Sequence, residues 1–128
     1  MAVRGIRGAI TAETNTSGAI LEATTELLQA LVERNQLALD EIASVMFTTT
    51  PDLNAVFPAY AARMMGWTAV PLIHGAEIPV SGALPLVVRV LLHYNTDLPQ
   101  SAMHHVYLRG AVALRQDLVA RFGAAPPE

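Results

Sequence analysis

Residues 84–94 read Leu-Pro-Leu-Val-Val-Arg-Val-Leu-Leu-His-Tyr, the longest apolar stretch of the chain. How this segment folds decides how the rest is arranged. Read as a helix from Leu84 to Tyr94, it tolerates Pro85 in its opening turn and carries Arg89 as its only charge. An arginine in so apolar a setting must snorkel to water, pair with a carboxylate or await an anionic ligand. The stretch is far too short to span a membrane.

Upstream, Ala69–Ile78 (AVPLIHGAEI) forms an extended segment, and the turn Pro79-Val80-Ser81-Gly82 leads from it into the Arg89 element. Glu77 therefore lies close in the chain and is the natural partner for Arg89. Downstream, His104–Leu114 reads as a last strand, on which Tyr107 faces away from Val106 and Leu108 and shares a side with His105 and Arg109.

The N-terminal decapeptide AVRGIRGAIT, residues 2–11, alternates as a strand. Val3, Gly5, Arg7 and Ala9 fall on one face, with Arg4, Ile6, Gly8 and Ile10 on the other. Small neighbours leave room beside the Arg7 guanidinium. Thr16 or Ser17 caps the next segment, where Ile20, Leu21, Thr24, Leu27, Leu28, Leu31 and Val32 recur at helical spacing. Asp40-Glu41-Ile42 opens a turn, Ser44–Thr50 is a second strand, and a helix starting at Phe57-Pro58 closes at Gly66. The expected order is strand, helix, strand, helix, strand, helix, strand, in a single α/β or α+β domain with a mixed sheet and packed helices. A polar, proline-rich tail at 119–128 is expected to be mobile.

Composition narrows the chemistry. At 128 residues, 52% hydrophobic and 15% charged, the chain suits one core and subunit contacts that cover its apolar excess. A net charge of -3 with no basic block argues against a nucleic-acid partner, and no signal or membrane segment is evident, so a soluble, cytoplasmic protein is expected. There is no cysteine and no lysine, since all eight basic residues are arginine. Thiol nucleophiles, zinc-thiolate sites, Schiff bases and P-loop lysines are excluded. His104 and His105 point to opposite faces and His74 and His93 stand apart, so no metal is expected. Ser17, Ser44, Ser81 and Ser101 lack the elbow of a serine triad.

What remains is a set of arginines with Tyr107 and Glu77, suited to gripping a small compound with more than one carboxylate, because the guanidinium fork binds carboxylates bidentately. The segments RGIRGA (4–9), TPDLNAVFPAYAAR (50–63), GW (66–67), VP (70–71), Glu77, RV (89–90), TDLPQ (96–100), and HVYL with AVALRQDL (105–118) lie in the order in which they occur in another group of proteins. Together they resemble the monofunctional chorismate mutases of the bacterial AroH type, over residues 1–118.

The resemblance implies a homotrimer built as a pseudo-α/β-barrel, with active sites at subunit interfaces, that converts chorismate to prephenate for phenylalanine and tyrosine synthesis without a cofactor or metal. Arg7, Glu77 and Arg89 would be the catalytic residues. Arg7 and Tyr107 would bind carboxylate, Arg89 would reach a carboxylate and the ether oxygen, and Glu77 would accept from the ring hydroxyl. Main-chain contacts would come from Ile73, His74, Gly75 and Ala76. Phe57, Ala59, Arg63, Leu72, Leu114 and Arg115 would line or rim the pocket. Two other classes fit the same set of side chains: a trimeric hydrolase of the enamine/imine deaminase kind, and a non-catalytic dicarboxylate-binding module.

Overall fold

The computed structural model describes residues 1–115, and for Arg115 the backbone alone. The tail at 119–128 lies outside the described residues. Five strands, β1 (Ala2–Thr11), β2 (Ile42–Thr49), β3 (Leu72–Ala76), β4 (Val87–Thr96) and β5 (Val106–Leu108), form one mixed sheet in the order β3-β2-β4-β1-β5. Among the described residues two α-helices accompany it, α1 (Ser17–Asn35) and α2 (Ala59–Met64), with 3₁₀ turns at Leu39–Glu41, Gln100–Ala102 and Arg109–Arg115.

The mixed α+β class agrees with the sequence reading, but the segment on which that reading turned does not. Residues 87–96 are not a helix; they form the central strand, antiparallel to β1 on one side and to β2 on the other. Burial along it alternates, with Val88, Val90, Leu92 and Tyr94 buried and Arg89, Leu91, His93 and Asn95 at least partly exposed, but apolar Val87 and Leu91 on the open face mask that alternation in the sequence. The β-branched cluster Val87, Val88 and Val90 was the signal that favours strand over helix. Entry into β4 is abrupt: Leu86 has φ 59°, and its N–H is held by both carboxylate oxygens of Asp52 at 3.0 and 3.2 Å.

Other boundaries contract. The extended segment expected over 69–78 pairs only at Leu72–Ala76, and the last strand keeps only Val106–Leu108 before turning into the 3₁₀ segment. The second helix is confined to Ala59–Met64, followed by Gly66 at φ 90°. Thr16, rather than Ser17, caps α1 by accepting the Ala19 N–H at 3.2 Å.

The core lies between α1 and one face of the sheet. Ile20, Leu27, Leu28 and Leu31 are fully buried, as are Ile6, Ile10, Phe47, Val88 and Leu92. Each such side chain contributes about 1.5–3 kcal/mol by leaving water. Gly8 makes the close approach possible: a Cβ there would lie 3.1 Å from both the Leu27 and the Leu31 methyls. With both α-helices drawn to this face, Arg7, Met46, Thr48, Ile73, Arg89 and Leu91 occupy the opposite one. That face is open, and Met46, Ile73 and Val3 on it are exposed.

Candidate active site

Strand register assembles the site. Ala9 stands opposite Arg89 across the β1–β4 ladder, Thr48 stands opposite Arg89 across β2–β4, and Tyr107 pairs with Ala9 across β1–β5. Residues directly opposite share a face. Arg7, two residues before Ala9, is therefore on the same face as Arg89 and Tyr107. The three side chains line a cavity of about 270 Å³, together with Ala9, Met46 and Thr48. Ala9 is the residue whose smallness matters, for it separates Arg89 from Tyr107. Gly5, expected to leave room beside Arg7, is not among the residues that line the cavity, and a Cβ there would make only an ordinary 3.8 Å contact with Leu91.

Arg89 donates from Nε to Glu77 Oε2 at 3.1 Å, as the chain proximity of the two residues led one to expect. Thr48 Oγ1 donates to the same carboxylate oxygen at 2.8 Å. The Glu77 N–H bonds to Thr49 O at 3.0 Å, continuing the β2–β3 ladder one residue past the end of β3. Its side chain is only 16% exposed, against 44% for Arg89. Among the described residues, Arg7 makes no ion pair and Arg89 makes no other. Two guanidinium groups thus share the open face with one carboxylate, which only Arg89 engages, and this leaves the cavity a cationic surplus. Tyr107 is buried with Ala9, Val87 and Ala111, and Leu114 packs against this cluster.

The β3 residues divide by parity. Ile73 and Gly75 share the open face with Glu77, while Leu72, His74 and Ala76, opposite Val45, Phe47 and Thr49, share the helix face. His74 Nε2 accepts the Ala59 N–H at 3.1 Å, and its ring lies between Phe47 and Phe57, at centroid distances of 5.6 and 4.9 Å. Burial, and secondarily the Arg63 charge, push its pKa below the ordinary histidine value. Phe57 is 70% exposed, and Arg63 projects from α2 into a neighbouring pocket with Trp67, Thr68 and Leu72. Within one chain, then, the expected residues form two groups: Arg7, Glu77, Arg89 and Tyr107 on the open face, and Phe57, Ala59, Arg63, Leu72 and His74 around α2.

Met46 and Thr48 were not singled out from the sequence. Alternation along SVMFTTT separates them from Val45 and Phe47, but only the pairing with β4 brings them to Arg89. His93, expected at a helix end, lies on β4 with Nδ1 3.1 Å from Ser44 Oγ. Among the described residues no cluster of three or more His, Asp or Glu side chains is placed to hold a metal ion.

A family profile described as chorismate mutase type I matches residues 3–118. The chain belongs to the type I chorismate mutases. Within that family it is 55% identical to chorismate mutase AroH of Thermus thermophilus over 117 residues, 91% of this chain and 96% of the relative. It is 43% identical to chorismate mutase AroH of Bacillus subtilis (strain 168) over 119 residues, covering 92% and 94%. A solved chorismate mutase from Clostridium thermocellum superposes with a TM-score of 0.84 at 47% identity, covering 85% of this chain and 97% of that one. As a type I chorismate mutase the chain is an enzyme, an isomerase of aromatic amino-acid biosynthesis.

Proposed function

We propose that the open-face cavity is where chorismate rearranges to prephenate, and that the Arg89–Glu77 pair at its edge is the centre of catalysis. The rearrangement is unimolecular and pericyclic. It calls for no nucleophile and no obligatory proton transfer, in keeping with a cavity whose polar groups are guanidinium, carboxylate, phenol and hydroxyl. The enzyme has two tasks: to hold the enolpyruvyl side chain over the ring in a compact chair-like conformer, and to stabilise charge as the ether bond breaks ahead of carbon-carbon bond formation. Even a modest acceleration of roughly 10⁶-fold requires about 8 kcal/mol of such help.

In this reading Arg7 and Tyr107 bind carboxylate, and Arg89 reaches a second carboxylate and the ether oxygen. Glu77, held by Thr48, accepts from the ring hydroxyl and faces the partly cationic ring. The observation that carries the reading is that Arg89 spends Nε on Glu77, so the pair orients the remaining end of the fork. A substrate with two carboxylates matches the cationic surplus of the cavity.

The group around α2 (Phe57, Ala59, Arg63, Leu72 and His74), with the main chain of Ile73–Ala76, Leu114 and Arg115, completes the proposal as the lining of a site shared between subunits of a homotrimer. Supporting this are the exposed Val3, Met46 and Ile73 on an uncovered sheet face and the openness of the cavity on that side. The decisive experiment follows chorismate loss and prephenate formation by the purified protein in buffer containing a chelator, with the mass of the assembly measured by light scattering. Absence of turnover sinks the assignment of the cavity, and a monomer that turns over at full rate sinks the shared site.

A further inference from the structure

β1 delivers Arg7 to the cavity, yet on the side away from β4 it is paired with β5 only at Gly8–Ile10. Along Gly5 and Arg7 that side has no strand beside it, and unpaired edge N–H and C=O groups leave a strand free to shift. Side chains occupy it instead. Gln100 Oε1 accepts the Gly5 N–H at 2.9 Å, and Gln100 Nε2 donates to Gly5 O at 2.6 Å, so one carboxamide satisfies both groups of a single residue as a partner strand would. Two residues on, His105 Nδ1 accepts the Arg7 N–H at 2.9 Å.

The segment that carries these two side chains is itself tied down. Arg4 Nε donates to Leu98 O at 2.9 Å, and Asn35, the last residue of α1, bonds the His104 N–H and C=O at 2.7 and 2.9 Å. Residues 98–105 thus run beside β1 as a ladder whose rungs are side chains. Gly5 is where such a rung matters most, because glycine is the residue least able to hold its own backbone conformation. Arg7 gains most from it, since its side chain is exposed, with no ion pair among the described residues to fix it.

We propose that Gln100 and His105 are positioning residues for Arg7, acting through the β1 backbone to aim its guanidinium at substrate carboxylate. The proposal rests on the carboxylate-binding role of Arg7 given above. It requires His105 to carry its ring proton on Nε2, leaving Nδ1 as acceptor.

Steady-state kinetics on the full-length enzyme test it. Gln100→Ala and His105→Phe should each raise KM for chorismate about tenfold or more, with a much smaller change in kcat, because an ill-aimed clamp weakens binding. His105→Asn, whose side-chain oxygen reaches the place of Nδ1, should restore KM. If Gln100→Ala fails to fold, the His105→Phe and His105→Asn pair carries the comparison.

The discriminating measurement is coupling. In an Arg7→Ala background, Gln100→Ala and His105→Phe should add nothing further to KM, whereas a merely structural role gives the same penalty with or without Arg7. Additive penalties, or a wild-type KM in both single variants, overturn the positioning role while leaving Arg7 as the clamp. An Arg7→Ala variant with wild-type KM overturns the clamp, and the ladder's role with it.

Discussion

Arg89 and Glu77 come from neighbouring stretches of chain, one on the central strand and one just past the edge strand, and meet at 3.1 Å between Nε and Oε2. Half-exposed ion pairs contribute little to stability. The pair's significance is directional: Nε is the guanidinium nitrogen nearest the aliphatic stem, and engaging it fixes the rotation of the planar fork. Arg89→Lys keeps the charge but has neither Nε nor a fork. Its kcat should fall on the order of 10² or more, as on loss of one transition-state donor, with little change in melting temperature. A variant with near-wild-type turnover would remove Arg89 from the mechanism.

Glu77 holds two donors, Arg89 Nε and Thr48 Oγ1, on one oxygen. Glu77→Gln keeps the shape and loses the charge that the proposed role sets against the ring, so kcat should drop by about the same 10² order while the fold persists. Thr48→Val removes one of the donors and should cost less, several-fold in kcat, by letting the carboxylate turn. Equal stability losses without loss of turnover, read by thermal melting beside initial rates, would mark the cluster as purely structural.

The α1–β1 contact supplies a stability test remote from the cavity. At Gly8 an added methyl would meet Leu27 and Leu31 at 3.1 Å, with Val106 O at 3.4 Å. Gly8→Ala should therefore cost about 1–3 kcal/mol by overpacking, seen as a lower denaturant midpoint at unchanged m-value. Gly5→Ala, with only an ordinary contact to Leu91, should cost less.

These residues also show what a sequence discloses. The faces of β1 were legible because alternation is local, so Arg7 with Ala9 and Arg4 with Ile6 followed from parity alone. The same logic failed at 84–94, since Val87 and Leu91 make the open face of β4 nearly as apolar as its helix face, and length and proline placement then favour a helix. Glu77 was reachable as the partner of Arg89 by proximity in the chain. Thr48 was not, because its place opposite Arg89 is a fact of β2–β4 register. The tie on Gly5 was illegible for a related reason: its peptide is held by Gln100, 95 residues away. The motif TDLPQ flagged Gln100 without indicating which strand it served.

His74 should make stability depend on pH in a defined direction. Its ring is held neutral by burial first and by the Arg63 charge second, so its folded pKa lies below the ordinary value of 6.5 that it regains on unfolding. The unfolded chain therefore binds more protons between the two values, and stability falls as pH drops. The contribution is complete above about 6.5, shrinks as pH falls through that value, and is lost once pH passes the lowered folded pKa. Protonation also converts Nε2 from acceptor to donor and breaks the bond from the Ala59 N–H. Denaturant unfolding at pH 7.5 and at pH 5 should show a larger loss for the wild type than for His74→Gln, whose side-chain oxygen accepts from Ala59 without titrating. Arg63→Ala should shrink the difference from the other side, by removing the charge that helps to depress the pKa. Identical pH dependence in the wild type and His74→Gln would mean that other groups carry it, and that the imidazole between Phe47 and Phe57 titrates as freely as one in water.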